Sequence, residues 1–277
     1  MLPMRHSILL GLLSLIYVLP LPVLATETEL RFGSVAMDIP TEMHRRLTPL
    51  THYLSQELER PVSLKLAKNM QGAIQDVADN AVELAYLTPV AYIKSRRLNE
   101  TRLVVKTVTN GQGSFRLMIV VREDSPIKTV EDLKGKSFAF GDKGALLQRA
   151  VVVGSGIELE SLGNYKFLGH YDNIVRAVMH GEFDAGILKD TKAYKWKGKG
   201  IRIIYASDDL PPYNITASRN VDDNLLARLQ DAFLKLDPGN PQHRKIIKAL
   251  DKKYDGFART ADAEYDIVRK LVAPFSK

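Results

Sequence analysis

The chain of 277 residues has no cysteine. That excludes disulfides, thiolate metal sites and cysteine nucleophiles, and equally the lipid-bearing cysteine that tethers some exported proteins to a membrane. The histidines beyond the N-terminal run, His44, His52, His170, His180 and His243, share no metal-ligand spacing. None of H-E-x-x-H, G-x-S-x-G or G-x-G-x-x-G is present. Gly135-Lys136-Ser137 copies the end of a phosphate-binding P-loop, but Val130 stands where that motif requires glycine and the tripeptide leads into a predicted strand. No metal and no cofactor is therefore expected, and no catalytic constellation identifies an enzyme. Internal repeats and low-complexity tracts are missing too.

Long apolar runs are scarce. The one at residues 8–19 follows Arg5 and His6 and precedes Pro20, Pro22 and Val23-Leu24-Ala25. This is the layout of a cleavable signal peptide cut after Ala25, since a membrane span needs about 20 apolar residues and the prolines interrupt the run first. A periplasmic, secreted product follows, held together by its core alone.

The remaining 250 or so residues suit one large domain or two ordinary ones. Net charge is +7, but the basic residues fall in small separate groups such as Arg45-Arg46, Arg96-Arg97 and Lys252-Lys253. The run from Lys189 to Lys197 interleaves Tyr194 and Trp196 with lysines, as a single-strand binder would. Export argues against a nucleic-acid partner, and none is expected.

Hydrophobic periodicity alternates short strands with amphipathic helices from end to end. Strands are predicted at 30–36, 62–66, 83–87, 103–108, 115–122, 137–140, 165–168, 184–188, 201–206 and 213–218. Met43, Leu47, Leu50, Leu54 and Leu58 share one helical face; Pro49 within it predicts a kink or a late start. Further helices are predicted at 71–80, 88–97 with Thr88 as cap and Pro89 first inside, 129–133, 145–153, 172–180, 190–196, 222–236, 242–254 and 261–272. Such alternation implies parallel sheets covered on both faces, and the glycine-bearing break at 110–113 divides the run into two α/β lobes with a cleft between them.

Several segments, in order, carry a resemblance: Pro49-Leu50-Thr51-His52-Tyr53-Leu54, Glu83-Leu84-Ala85-Tyr86-Leu87-Thr88-Pro89, Val121-Arg122-Glu123-Asp124-Ser125-Pro126, Phe138-Ala139-Phe140-Gly141-Asp142, Gly169-His170-Tyr171-Asp172 and Gly181-Glu182-Phe183-Asp184-Ala185-Gly186. Together the chain resembles the phosphate/phosphite/phosphonate-type periplasmic substrate-binding proteins of ABC transporters. The resemblance implies the type II periplasmic binding fold, with two lobes, each a mostly parallel sheet flanked by helices, joined by a two-strand hinge. Lobe I would comprise 26–112 and 209–277, and lobe II 113–208, with crossings near 113–117 and 211–213. It also implies a small, anionic, phosphonate- or phosphite-like ligand, an ABC permease as partner, a monomer and no catalysis. A sensory protein docking on a membrane signalling partner uses the same hinge and is the alternative; an exported enzyme is the third, distinguished by turnover of the purified protein.

Carried over residue by residue, the resemblance places ligand contacts at Met70, where the family often has tyrosine, at Tyr86 and Thr88, at His170, and at Tyr213, where the phosphonate and phosphite binders place an acid. The main departure is the loop Gly141-Asp142-Lys143-Gly144-Ala145-Leu146-Leu147, which carries no hydroxyl where those binders have Ser-Thr-Ser. A hydrogen bond to a charged ligand is worth about 1.5–3 kcal/mol, so Lys143 and bare amides such as that of Gly144 would have to compensate.

Overall fold

The computed structural model describes residues 28–34 and 39–275; the expected signal peptide, 1–25, lies outside the described residues. In chain order the first elements are β1 (Leu30–Ser34), α1 (Pro40–Leu58), β2 (Val62–Leu66), α2 (Met70–Ala78), β3 (Leu84–Leu87), α3 (Pro89–Asn99) and β4 (Arg102–Thr109). Next come β5 (Leu117–Arg122), β6 (Ser137–Phe140), α4 (Leu146–Gly154), β7 (Asn164–Phe167), α5 (Tyr171–Met179), β8 (Ala185–Lys189), α6 (Asp190–Trp196) and β9 (Ile201–Ala206). The chain closes with β10 (Asn214–Ala217), α7 (Asp223–Leu234), α8 (Pro241–Leu250), β11 (Tyr254–Ala258) and α9 (Asp266–Val272).

Two sheets result, one ordered β11-β4-β10-β3-β1-β2 and the other β7-β6-β8-β5-β9. Among the described residues β1 pairs in parallel with β2 and β3, and β6 with β7 and β8; the other ladders between these strands are antiparallel. The sheets are thus mixed rather than mostly parallel. Periodicity locates β5 and β10 but not their direction: each enters a sheet from the other body and runs against its neighbours there. The chain passes between the sheets at 110–116 and again at 207–213, where Phe115 and Leu210 exchange backbone hydrogen bonds of 3.0 and 2.8 Å.

Local chemistry explains most boundaries. Thr88 caps α3, its hydroxyl accepting the Ala91 amide at 3.1 Å, with Pro89 at the first helical position. β3 is buried at all four positions, as a central strand covered on both faces requires. Helix α1 starts at Pro40 and runs through Pro49 without the predicted late start. Pro49 forfeits one hydrogen bond, but Met43, Leu47, Leu50, Leu54 and Leu58 are all buried on the first sheet, and at about 25 cal/mol per Å² that burial outweighs it.

One expectation at the C-terminal end is corrected. The predicted helix 242–254 stops at Leu250, and Tyr254–Ala258 forms the edge strand β11. Gly256, at φ +136°, sits at a register shift against β4, and a bulged edge strand has no clean alternation to read. Within 209–277, expected in the first lobe, α9 also reaches the second body: Val268 and Val272 are buried with Phe138, Phe140 and Ile187 of the second sheet and Val151 of α4, a cluster that Val90 of α3 joins. An amphipathic face shows that a helix packs, not on which body.

Asp262, just before α9, is gripped from both sides. It accepts from the Tyr92 hydroxyl at 2.5 Å and pairs with Arg269 at 2.5 Å and Arg96 at 3.2 Å. Burial alone would raise its pKa, but those hydrogen bonds and charges hold it below the usual carboxylate value. A depressed carboxylate stabilises the fold above its unfolded pKa and ceases to as pH falls through the folded one. Asp262→Asn is therefore expected to lower stability at pH 7 by about 1 kcal/mol, solvent screening this partly exposed cluster. The difference from the unsubstituted protein should close below about pH 4, as read by urea titrations across pH.

Candidate functional site

The first sheet presents three tyrosines toward the crossings. Tyr86, next to last in β3, is fully buried and shares a hydrogen bond of 2.5 Å with the hydroxyl of Tyr254 at the start of β11. Its ring stacks on Tyr213, centroids 5.1 Å apart and planes 30° apart. Tyr213 lies in the second crossing, its carbonyl accepting the Thr107 amide at 2.9 Å. Burial is the chief cause raising all three hydroxyls above the ordinary phenol value, so at neutral pH they are uncharged groups able to donate.

The second sheet supplies the opposing surface. Gly141, directly after β6, donates its amide to Gln148 Oε1 at 2.8 Å, and Gln148 Nε2 donates to the Tyr171 hydroxyl at 3.3 Å. A Cβ at Gly141 would lie 2.8 Å from Gln148 Nε2, so the close approach needs glycine. Burial pushes Tyr171 up to about 12, with Tyr213 and Asp190 adding to it; Asp142 acts in the same way on Tyr213. Both influences act between groups carried by the two different bodies.

Among the residues singled out from sequence, Tyr86 and Tyr213 are in contact. Met70, first in α2, is half-buried on the apolar patch of Ala73, Ile74, Leu87 and Ala91 that Tyr213 also touches. Thr88 borders that patch with its oxygen engaged as a helix cap. His170, Lys143 and Gly144 are exposed on the second body. His170 holds the N-cap position of α5 without a capping bond from its side chain. The loop at 141–145 offers fewer free amides than its sequence promised, because the Asp142 carboxylate accepts the Gly144 amide at 2.6 Å and the Asp142 carbonyl the Ala145 amide at 3.0 Å.

Sequence reasoning passed over Gln148, Tyr171, Tyr254 and Lys189. Tyr254 sat inside a mispredicted helix, and Gln148 and Tyr171 matter through contacts across 23 residues of sequence. Lys189 could have been found, since it ends a strand parallel to its neighbour β6, and ligands of open α/β sheets gather at the carboxyl ends of parallel strands.

Comparison with known proteins agrees with this architecture. A family model described as the periplasmic substrate-binding protein of a phosphonate ABC transporter matches residues 32–265. The phosphate-import protein PhnD of Mycolicibacterium smegmatis is 21% identical over 275 aligned residues, spanning 86% of this chain and 83% of that protein. XAC2383 from Xanthomonas citri, solved with ATP, shares the fold with a TM-score of 0.72 at 18% identity over 88% of this chain and 96% of that one. PhnD1 from Prochlorococcus marinus, solved with methylphosphonate, gives 0.68 at 17% identity over 90% and 98%. With the two mixed sheets and paired crossings, the match along 32–265 establishes that the chain belongs to the periplasmic substrate-binding proteins of phosphonate ABC transporters.

Proposed function

We propose that the protein captures a small anionic solute between its two lobes, 26–112 with 209–277 and 113–208, and presents it to an ABC permease. It works as a periplasmic monomer released by cleavage after Ala25, with no turnover and no nucleic-acid partner. This reading is supported by two polar clusters beside the crossings, Tyr86, Tyr213 and Tyr254 with the first sheet and Gly141, Gln148 and Tyr171 with the second. Closure brings uncharged donors to an anion from both sides. Met70, Thr88, His170 and the turn at Lys143 and Gly144 border the same space.

A thermal-unfolding series with phosphate, phosphite, methylphosphonate and aminoethylphosphonate tests this. A ligand at a hundred times its dissociation constant stabilises by about 2.7 kcal/mol. The shift is expected to disappear in Tyr213→Ala, and a shift that survives the substitution would place the ligand elsewhere. The hydroxyl-free turn at 141–147 favours a second reading, a periplasmic sensor with a different solute that docks on a membrane signalling protein. Silence toward every phosphorus oxyanion with a response to another solute class would select it.

A further inference from the structure

Lys189 is the last residue of β8, paired with Leu117 across the second sheet. Its side chain turns toward the crossings, with Nζ 4.8 Å from the ring centroid of Phe115, the residue whose backbone bonds Leu210 of the other crossing. The ammonium makes no hydrogen bond and no ion pair among the described residues, although cations nearby do: Lys192 pairs with Asp172 at 2.7 Å and Arg116 with Asp209 at 2.7 Å. The carboxylates closest to it in effect are Asp190 and Asp251, and both are turned to backbone amides. Asp190 accepts from Arg116 and Thr191 at 2.9 and 2.6 Å, and Asp251 from Lys253 at 2.8 Å.

Burial is the largest influence on this lysine and lowers its pKa; Lys253 adds to the lowering, while Asp190 and Asp251 oppose it. Asp251 acts on Tyr86, Tyr213 and Tyr254 as well, and the crossing at Phe115 that Lys189 meets is bonded to Leu210, three residues before Tyr213. A half-buried charge with no ion-pair partner carries part of the cost of desolvation, and a cation–π contact of about 0.5–2 kcal/mol offsets some of it. Of the other basic groups nearby, Arg46 donates twice to the Leu250 carbonyl, at 2.9 and 2.7 Å, and Lys253, Lys143 and His170 are exposed.

We infer that Lys189 is the anion-recognition group of the interlobe site, supplying the one half-buried countercharge for an organic monoanion, a carboxylate, sulfonate or singly ionised phosphonate, whose remaining contacts come from the tyrosines. This rests on the interlobe reading above and adds which residue takes the charge. One half-buried cation, with Lys143 and His170 exposed at the rim and the 141–145 amides largely spent internally, suits a monoanion better than a dianionic tetrahedral group.

Calorimetric titration of the purified protein with methylphosphonate, ethanesulfonate and benzoate tests it, alongside Lys189→Met, Lys189→Arg, the exposed control Lys199→Met and Tyr213→Ala. At least one probe is expected to bind. Lys189→Met should weaken it about ten- to a hundred-fold, the loss of one bond to a charged group, with Lys189→Arg and Lys199→Met within a few-fold. In the ligand-free protein Lys189→Met is expected to raise the melting temperature, because it removes an uncompensated charge; a fall would show the ammonium serving the fold and overturn the assignment. Equal binding by Lys189→Met, with loss in Tyr213→Ala, sinks Lys189 alone and leaves the interlobe site standing. Equal binding by both variants removes the site itself. Silence of all three probes on the unsubstituted protein overturns the monoanion assignment.

Discussion

Phe140→Ala is expected to destabilise the protein by about 3–5 kcal/mol, the usual cost of emptying a buried phenylalanine site. Phe140 is fully buried at the end of β6, with ring centroids at 4.7 Å from Phe138, 5.6 Å from Tyr165 and 5.8 Å from Phe167. Two of those partners come from the edge strand β7, held on one side by β6 alone, which can settle partly into the cavity and brings the cost toward the lower end of that range. The residue after Phe140 is Gly141, whose amide orders Gln148 and through it Tyr171. The same substitution should therefore weaken solute binding as well as folding. Urea unfolding gives the first effect. Calorimetry at a temperature where the variant is still folded isolates the second, and undiminished affinity there would show that the turn does not depend on the ring beneath it.

Gly163→Ala should cost about 3 kcal/mol, near the top of the range for forcing an extra methyl into a packed site. A Cβ there would lie 2.3 Å from the carbonyl oxygen and 2.8 Å from the carbonyl carbon of Gly135. Both atoms are backbone, and they are fixed by reciprocal hydrogen bonds, Gly135 to Ser161 at 2.8 Å and Gly163 to Lys136 at 3.0 Å. No rotamer change relieves the contact. Gly111→Ala is the informative comparison: its φ is +72°, but nothing lies within 4 Å of the added carbon, so the cost is the left-handed conformation alone, about 1–2 kcal/mol. Equal melting temperatures for the two variants would mean that the 135–163 contact yields without strain.

The legible part of this protein was what neighbours in sequence determine. Strands β2, β6 and β9 and helix α6 fall where alternation and turn residues put them, and Thr88-Pro89 announced its cap. What escaped depends on distant partners. β11 is a strand only because β4 offers an edge to Tyr254 and Phe257. The direction of β5 follows from its arrival out of the first sheet. At the site, Tyr86 and Tyr213 came from likeness to a family, and their stacking is a fact of two strands brought side by side. The turn at 141–145 was seen to lack hydroxyls, yet that Asp142 would occupy the Gly144 amide depends on the fine geometry of a tight turn, which composition does not encode. Lys189 looked like one of several lysines in a basic stretch until Phe115, Asp190 and Asp251 were located around it.

The position of α9 bears on how the molecule can move. Two bodies joined by a pair of neighbouring strands keep two freedoms, opening about the pair and twisting along it. Here the chain makes a further attachment: Tyr265 packs edge-on against Tyr92 of α3 at 4.7 Å, and within one helical turn Val268 is embedded against the opposite body. The two bodies cannot separate at α9 without uncovering Val268 and Val272, so that helix adds a third, apolar attachment to the two strand connections.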